Sequence, residues 1–462
     1  MTNKLVLAAV FFLTLLLPCR AAEPLYAGKP LAFWLDELKS DDPLIREEAL
    51  AVLSDAGAAA RAATPTILKL TRHSDAPLRA ASLSALRFLA DPKEARQAAL
   101  QSLKDDAPLV RCRAVVLLAH VDAKHPDVLP HVLELLKQPV GRDELLSLLG
   151  RMGPQAERAV PTLTKLLDEA DPPSRRSAIQ ALRQIGPGAR PAVPALLEQL
   201  HAADLITRLE AVQALRAIGG DRSRIVAAVL EAAKQDTAAR SAYLSLLADY
   251  GAEAAPAVPW LVAELHRQPQ LFVTVQIAEM LYKIDRERAR KEARPVLQKM
   301  LQPNNPWRIE AAAALRRAEP DNEEALQTLL DCMAASQIAV RLSACYKLGT
   351  LGKSADKAIP GLRKAVRDSD LSLRVTAAFA LWQITGETDS TAPVLLEALK
   401  PSQAIYWRSQ AASHLGQMGA SVNKSVLPEL RKFRDDAVPA VRDSVRRAIE
   451  QIESSAQKAK SP

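Results

Sequence analysis

Asp204 to Gly219 reads DLITRLEAVQALRAIG, and this stretch decides the fold. Counting from Arg208 as zero, apolar residues fall at +3, +4, +7 and +10: Ala211, Val212, Leu215 and Ile218. That spacing lines one face of an α-helix. The same pattern recurs with the zero position at Arg46, Arg79, Arg111, Arg142, Arg175, Arg240, Arg308, Arg341, Arg374, Arg408 and Arg442, and with Thr274 in the eighth copy. The intervals run from 31 to 34 residues, a period near 33. At +7 stand Leu53, Leu86, Leu118, Leu149, Leu182, Leu215, Leu247, Leu281, Leu315, Leu348, Leu381, Leu415 and Ile449. Self-similarity at a fixed period means stacked supersecondary units, so the expected fold is an all-α, right-handed α-solenoid of about thirteen two-helix repeats.

In the prototype the first helix is read over Ala192 to His201 and the second over Ile206 to Ile218. Small residues dominate at +3, as in Ala49, Ala114, Ala178 and Ala344, where they let neighbouring helices approach closely. At +11 stand Gly57, Gly153, Gly186, Gly219, Gly251, Gly352 and Gly419, the residue that a helix C-terminus uses in a left-handed conformation. A proline recurs about 14 residues before zero, at Pro65, Pro130, Pro161, Pro194, Pro259, Pro360, Pro393 and Pro428; it either opens a first helix or bends it. Asp75, Asp171, Asp204, Asp236 and Asp370 lie four residues before zero. A carboxylate there caps the second helix or bonds a ladder arginine, so the row of arginines is read as structural rather than as an anion-binding row.

Paired helices, a proline in the first, an acid in the turn and an arginine opening the second resemble the HEAT-repeat family, in its short HEAT-like form. The resemblance covers about Leu31 to Ile452. It implies an armadillo-type solenoid that works by binding other proteins. The lead-in Tyr26-Ala-Gly-Lys-Pro-Leu-Ala-Phe-Trp-Leu looks like the entry to secreted bacterial proteins of this type, with Phe33 and Trp34 covering the open end of the first repeat. Enzymes of the family offer comparisons. The member that hydroxylates a modified lysine uses repeated His-Glu pairs, and no histidine here is followed by glutamate. Phycobilin lyases and DNA-glycosylase members share the repeat type but work where a secretory signal would not lead.

Such a signal is read at the N-terminus. Lys4 gives a positive start, Leu5 to Leu17 an apolar core, and Cys19-Arg20-Ala21 a small-x-small cleavage site. The expected organisation is a signal peptide over 1–21, a lead-in over 22–30, the solenoid over 31–453 and a disordered polar tail over 454–462. The apolar run is short for a transmembrane span and none follows it, so no membrane span is expected after cleavage. Lipidation of Cys19 and an uncleaved anchor are the alternatives. The formal charge of +8 falls to +6 when Lys4 and Arg20 leave, and basic residues have acidic neighbours throughout, so no nucleic-acid partner is expected. Cys112, Cys332 and Cys345 remain, an odd count and no disulfide framework; Cys332 and Cys345 fall on the two helices of one repeat and are open to pairing.

Phosphate loops, H-E-x-x-H, G-x-S-x-G and paired CxxC motifs are absent from the sequence, and no cofactor is expected. His120, Asp122, His125, Asp127 and His131 cluster locally but straddle a proline-containing connection, and they are read as a solvated link rather than a metal site. Of the 18 aromatic residues, 11 lie between Tyr243 and Trp407. Tyr282, Tyr346, Phe379 and Trp382 interrupt the polar +5 and +8 positions, and Trp307 and Trp407 each precede a ladder arginine. These six form the candidate partner surface, since aromatics supply large contact area at interface cores. The expected function is an exported, non-enzymatic, monomeric scaffold or adaptor for a protein partner. A lyase-like or metal-dependent enzyme and a polyanion-binding solenoid are the competing classes.

Overall fold

In the computed structural model, residues 25–169, 171–267 and 272–458 are described. The segment read as a signal peptide, with Cys19, lies outside them. The described residues form thirteen successive helix pairs and one two-stranded hairpin. The chain divides into two compact units, one ending at Asp221 and one beginning at Arg222.

The first unit holds six pairs. Its second helices are Pro43–Ala56, Ala76–Leu89, Pro108–Val121, Arg142–Met152, Pro172–Ile185 and Leu205–Ile218. Their buried faces are the ones the spacing selects: Ala49, Leu53, Ala114, Leu118, Ala211 and Leu215 are inaccessible to solvent. Each such leucine contributes about 2 kcal/mol by leaving water. Consecutive second helices pack on each other, and the first helices close the other side of the layer. The entry is sealed by strands Leu25–Tyr26 and Lys29–Pro30, joined through Ala27 and Gly28 at φ 47° and 80°. Two positive φ values in succession are what a tight two-residue hairpin turn requires. Trp34 is buried and donates its indole N–H to the Tyr26 carbonyl at 2.7 Å. Phe33 stays 38% exposed, edge-on to Trp34.

The second unit holds seven pairs. Its second helices are Arg240–Asp249, Phe272–Ile284, Arg308–Ala318, Ile338–Leu351, Leu371–Thr385, Ile405–Met418 and Pro439–Lys458. Its last helix carries on through Lys458, five residues into the stretch read as a polar tail; Ile452 is buried just before that stretch, and the Ser455 hydroxyl donates to the Gln451 carbonyl one turn back. Residues 459–462 lie outside the described set.

Two features depart from the sequence reading. The +11 glycines do have positive φ, but Gly219 sits at φ 65°, ψ −158° and Gly57 at φ 56°, ψ −135°, outside the left-handed helical well and in a region that only glycine occupies without strain. All of them except Gly219 then open 3₁₀ segments, such as Gly153–Ala159, Gly186–Ala192, Gly251–Ala257 and Gly352–Ala358, that the sequence reading did not foresee. The alanines three apart in these segments, Ala156 and Ala159 or Ala254 and Ala257, are fully buried, as the three-residue turn of that helix dictates. Pro65, Pro194, Pro360 and Pro393 stand in the first turn of the following helix, whereas Pro428 lies inside one.

Candidate interaction surface

The ladder arginine is the fourth residue of its helix in most repeats, so its side chain reaches back over the turn. Arg79 donates to the carbonyls of His73 and Ser74 at 2.9 and 2.8 Å, Arg111 to Asp105 and Asp106 at 2.7 and 2.8 Å, and Arg374 to Asp368 and Ser369 at 2.9 Å each. Arg208 does the same to Ala202 and Ala203, and Arg46, Arg308 and Arg442 each hold one such carbonyl. Arg240 donates to Ala233 O at 3.1 Å. Arg142 is the first residue of its helix, and Arg175 and Arg341 are the fourth of theirs.

The acids divide between two jobs. Asp171, Asp204 and Asp370, four before zero, cap their own helices by accepting from Ser174 N, Thr207 N and Leu373 N. The ladder arginine of one repeat is met chiefly by an acid six before zero in the next: Arg79 by Asp105 at 2.8 Å, Arg341 by Asp368 at 2.6 Å, and Arg408 by Asp436. Arg79 holds the Asp105 carboxyl below the usual range. For Asp368 the Asp370 N–H is the larger cause and Arg341 the next. Arg408 is 3% exposed and also donates to Leu399 O, so this pair is buried and hydrogen-bonded on both sides. Guanidinium forks spent in this way on turn carbonyls and carboxylates are tied into the repeat stack.

The six aromatic residues do not form one surface. Tyr346, Phe379 and Trp407 line a single groove of about 290 Å³ across repeats ten to twelve, together with Leu342, Ser343, Thr376, Gln383, Tyr406, Gln410 and His414. Trp382 stacks behind Phe379 at 5.4 Å, and His414 stacks on Phe379 at 3.9 Å, which makes a three-ring stack. Phe379 is therefore buried, while Tyr346 and Tyr406 are 53% and 61% exposed. Burial lowers the His414 pKa to about 4, so the ring is neutral at pH 7 and the groove lining carries no formal charge. His414 Nδ1 and Gln383 Oε1 are buried without a hydrogen-bond partner.

Tyr282 and Trp307 lie elsewhere, in repeats eight and nine. Tyr282 helps line a pocket of about 480 Å³ with Glu279, Lys283, Arg286 and Arg317, and it donates its hydroxyl to Glu319 Oε1 at 2.9 Å. Burial and that carboxylate push its phenol pKa up. The Trp307 ring packs against Phe272 at 5.2 Å. The sequence reading missed Tyr406, His414 and both glutamines. For Tyr406, Gln410 and Gln383 the signal was present, since positions −2, +2, +5 and +9 fall at helical spacing and form a second stripe opposite the buried one; His414, at +6, lies off that stripe.

The histidine cluster is a local loop network. His125 Nδ1 accepts from Asp127 N, His131 Nδ1 meets Asp127 O at 2.8 Å, and Asp122 pairs with Arg96. Among the described residues no three histidine, cysteine, aspartate or glutamate side chains are grouped to hold a metal. Cys112, Cys332 and Cys345 are buried free thiols. Cys332 accepts from Arg308 Nε at 3.0 Å, and burial pushes the Cys345 thiol up to about 12.

The HEAT-repeat family model matches residues 64–148, 96–183, 138–216, 160–248 and 326–416, and the chain belongs to that family. No curated protein sequence matches it. Yeast importin-β (Kap95p) is similar in structure at a TM-score of 0.54 and 14% identity, over 92% of this chain and 69% of that one. An importin-β crystallised in an ammonium sulfate condition gives a TM-score of 0.45 at 13% identity, over 92% of this chain and 74% of that one. At these identities the likeness is one of fold, an all-α solenoid of HEAT repeats.

Proposed function

We propose that this chain is an exported, non-enzymatic and monomeric scaffold that holds a protein partner in the groove of repeats ten to twelve. The observation that carries the reading is the pair of exposed tyrosines, Tyr346 and Tyr406, on either side of the buried Phe379 and the half-buried His414 stacked on it. Exposed aromatic rings around a formed groove, on a fold that otherwise buries its apolar stripe, have the composition of an interface core. Export rests on Lys4, the apolar run Leu5 to Leu17 and the Cys19-Arg20-Ala21 site. Among the described residues no helix is long and apolar enough to cross a membrane.

Affinity capture from the native envelope compartment tests both parts. The full chain should recover a protein that a Tyr346→Ala/Tyr406→Ala variant does not recover, with the two proteins showing the same far-UV circular dichroism. Equal recovery by both would remove the groove from the proposal, and a cytoplasmic chain retaining residues 1–21 would remove export.

A further inference from the structure

Taking that groove as the partner surface, we infer that its occupant is an uncharged, extended segment rich in proline, bound as a polyproline II helix. Three classes of peptide recognition make different demands on a groove. A charged peptide needs opposite charge in the lining, and the ten lining residues supply none, the half-buried His414 ring being held neutral at pH 7 by desolvation. An amphipathic helix satisfies its own backbone and asks for apolar pockets. Here the apolar surface is shared with Ser343, Thr376, Gln383 and Gln410, groups that a helix would leave without use.

A polyproline segment fits what is present. Its backbone has no internal hydrogen bonds, and its proline residues offer carbonyl acceptors but no N–H donors. The lining is rich in donors placed beside rings: the Tyr346 and Tyr406 hydroxyls, the Trp407 indole N–H and two side-chain amides. Tyr346 and Tyr406 come from repeats ten and twelve, with Phe379 of repeat eleven between them, so two exposed rings flank a ringed floor. Trp407 meets Tyr406 edge-on at 4.9 Å, which fixes one wall of that channel. Pyrrolidine rings pack on such aromatic walls, and the stiff segment loses little entropy on binding.

The test uses the full chain and a fluorescein-labelled decaproline, with Gly-Ser, Glu-Pro and Lys-Pro decamers as competitors, read by fluorescence anisotropy. Decaproline should bind, the Gly-Ser peptide should not compete, and the charged peptides should compete more weakly than unlabelled decaproline. Affinity should change less than about twofold between about 0.05 and 0.5 M salt, as contacts without net charge require. Tyr406→Ala should weaken binding about tenfold, as loss of an exposed aromatic contact does at interface hot spots, and Tyr406→Phe should restore only part of it, because the ring returns without its hydroxyl donor. Absence of decaproline binding, or binding that collapses with salt, would overturn the inference. If the protein captured from the envelope is still lost in the Tyr346→Ala/Tyr406→Ala variant, the scaffold reading stands while this occupant falls.

Discussion

His414 shows how one half-buried side chain connects the core to the groove. It stacks on Phe379 with its Nδ1 unpartnered, and desolvation alone lowers its pKa from 6.5 to about 4. The sign follows from proton counting. Between about 4 and 6.5 the unfolded chain takes up the proton and the folded chain does not, so stability rises with pH across that window and is fully present above it. The depressed carboxylates, Asp105 and Asp368 among them, act lower: their contribution is present above 3.8 and lost as pH falls through their folded values. His414→Gln should therefore flatten urea-unfolding stability between pH 4.5 and 6.5 while leaving the steeper acid limb in place. An unchanged slope in that window would show that the ring is solvated in the folded protein.

At the scale of helices, the close approach of neighbouring repeats depends on glycine at +8. A Cβ built on Gly349 would lie 2.8 Å from Ala380 Cα and 2.9 Å from Ala380 Cβ, and one on Gly416 would lie 2.9 Å from Ala448 Cα. In both pairs the far side is the next second helix, with Gln383 or Gln451 lying against the glycine. Gly349→Ala should thus cost about 1–3 kcal/mol by overpacking, less about 1 kcal/mol regained in helix propensity. Gly361→Ala is the matched control, because the atoms it meets are the flexible end of Met333, and it should be neutral or stabilising. Denaturant unfolding of the two variants checks this, and a Gly349→Ala protein as stable as the Gly361→Ala one would contradict the close approach. What the sequence made legible at this scale was whatever recurs with a helical period. Leu215 and its counterparts occupy the same buried site in every repeat, so thirteen copies report one physical demand. The 3₁₀ segments escaped because alanine at a spacing of three, as in Ala189 and Ala192, does not register in a search at 3.6. Bonding of a turn acid to the arginine of an adjacent repeat was legible, with Asp105 among the acids near the turn, but Asp368 and Asp436 escaped because the reading aligned the acids at −4 and these stand at −6. The aromatic set was found by residue type, and split in two because a list of positions does not say which repeats share a groove.

At the scale of the molecule, the inter-repeat bonds among the described residues stay short in sequence. The inter-repeat bonds Arg79–Asp105, Arg341–Asp368, Arg408–Asp436 and Arg316–Ser354 O span 26, 27, 28 and 38 residues, about one period each. Stability in such a stack is a sum of repeat and nearest-neighbour contributions, and an injury propagates only as far as the interfaces it weakens. Leu348 is fully buried in repeat ten, and Leu348→Ala should remove about 2–5 kcal/mol locally. Under native conditions, amide hydrogen exchange should accelerate in repeats nine to eleven, while peptides from Pro43 to Ile218 in the first unit keep their rates. The reciprocal variant, Leu118→Ala in repeat three, should leave the groove peptides around Phe379 and His414 unchanged. Acceleration spread evenly over all thirteen repeats would mean that the chain opens as one cooperative block. The groove would then share the stability of every repeat, instead of depending on repeats ten to twelve and their neighbours.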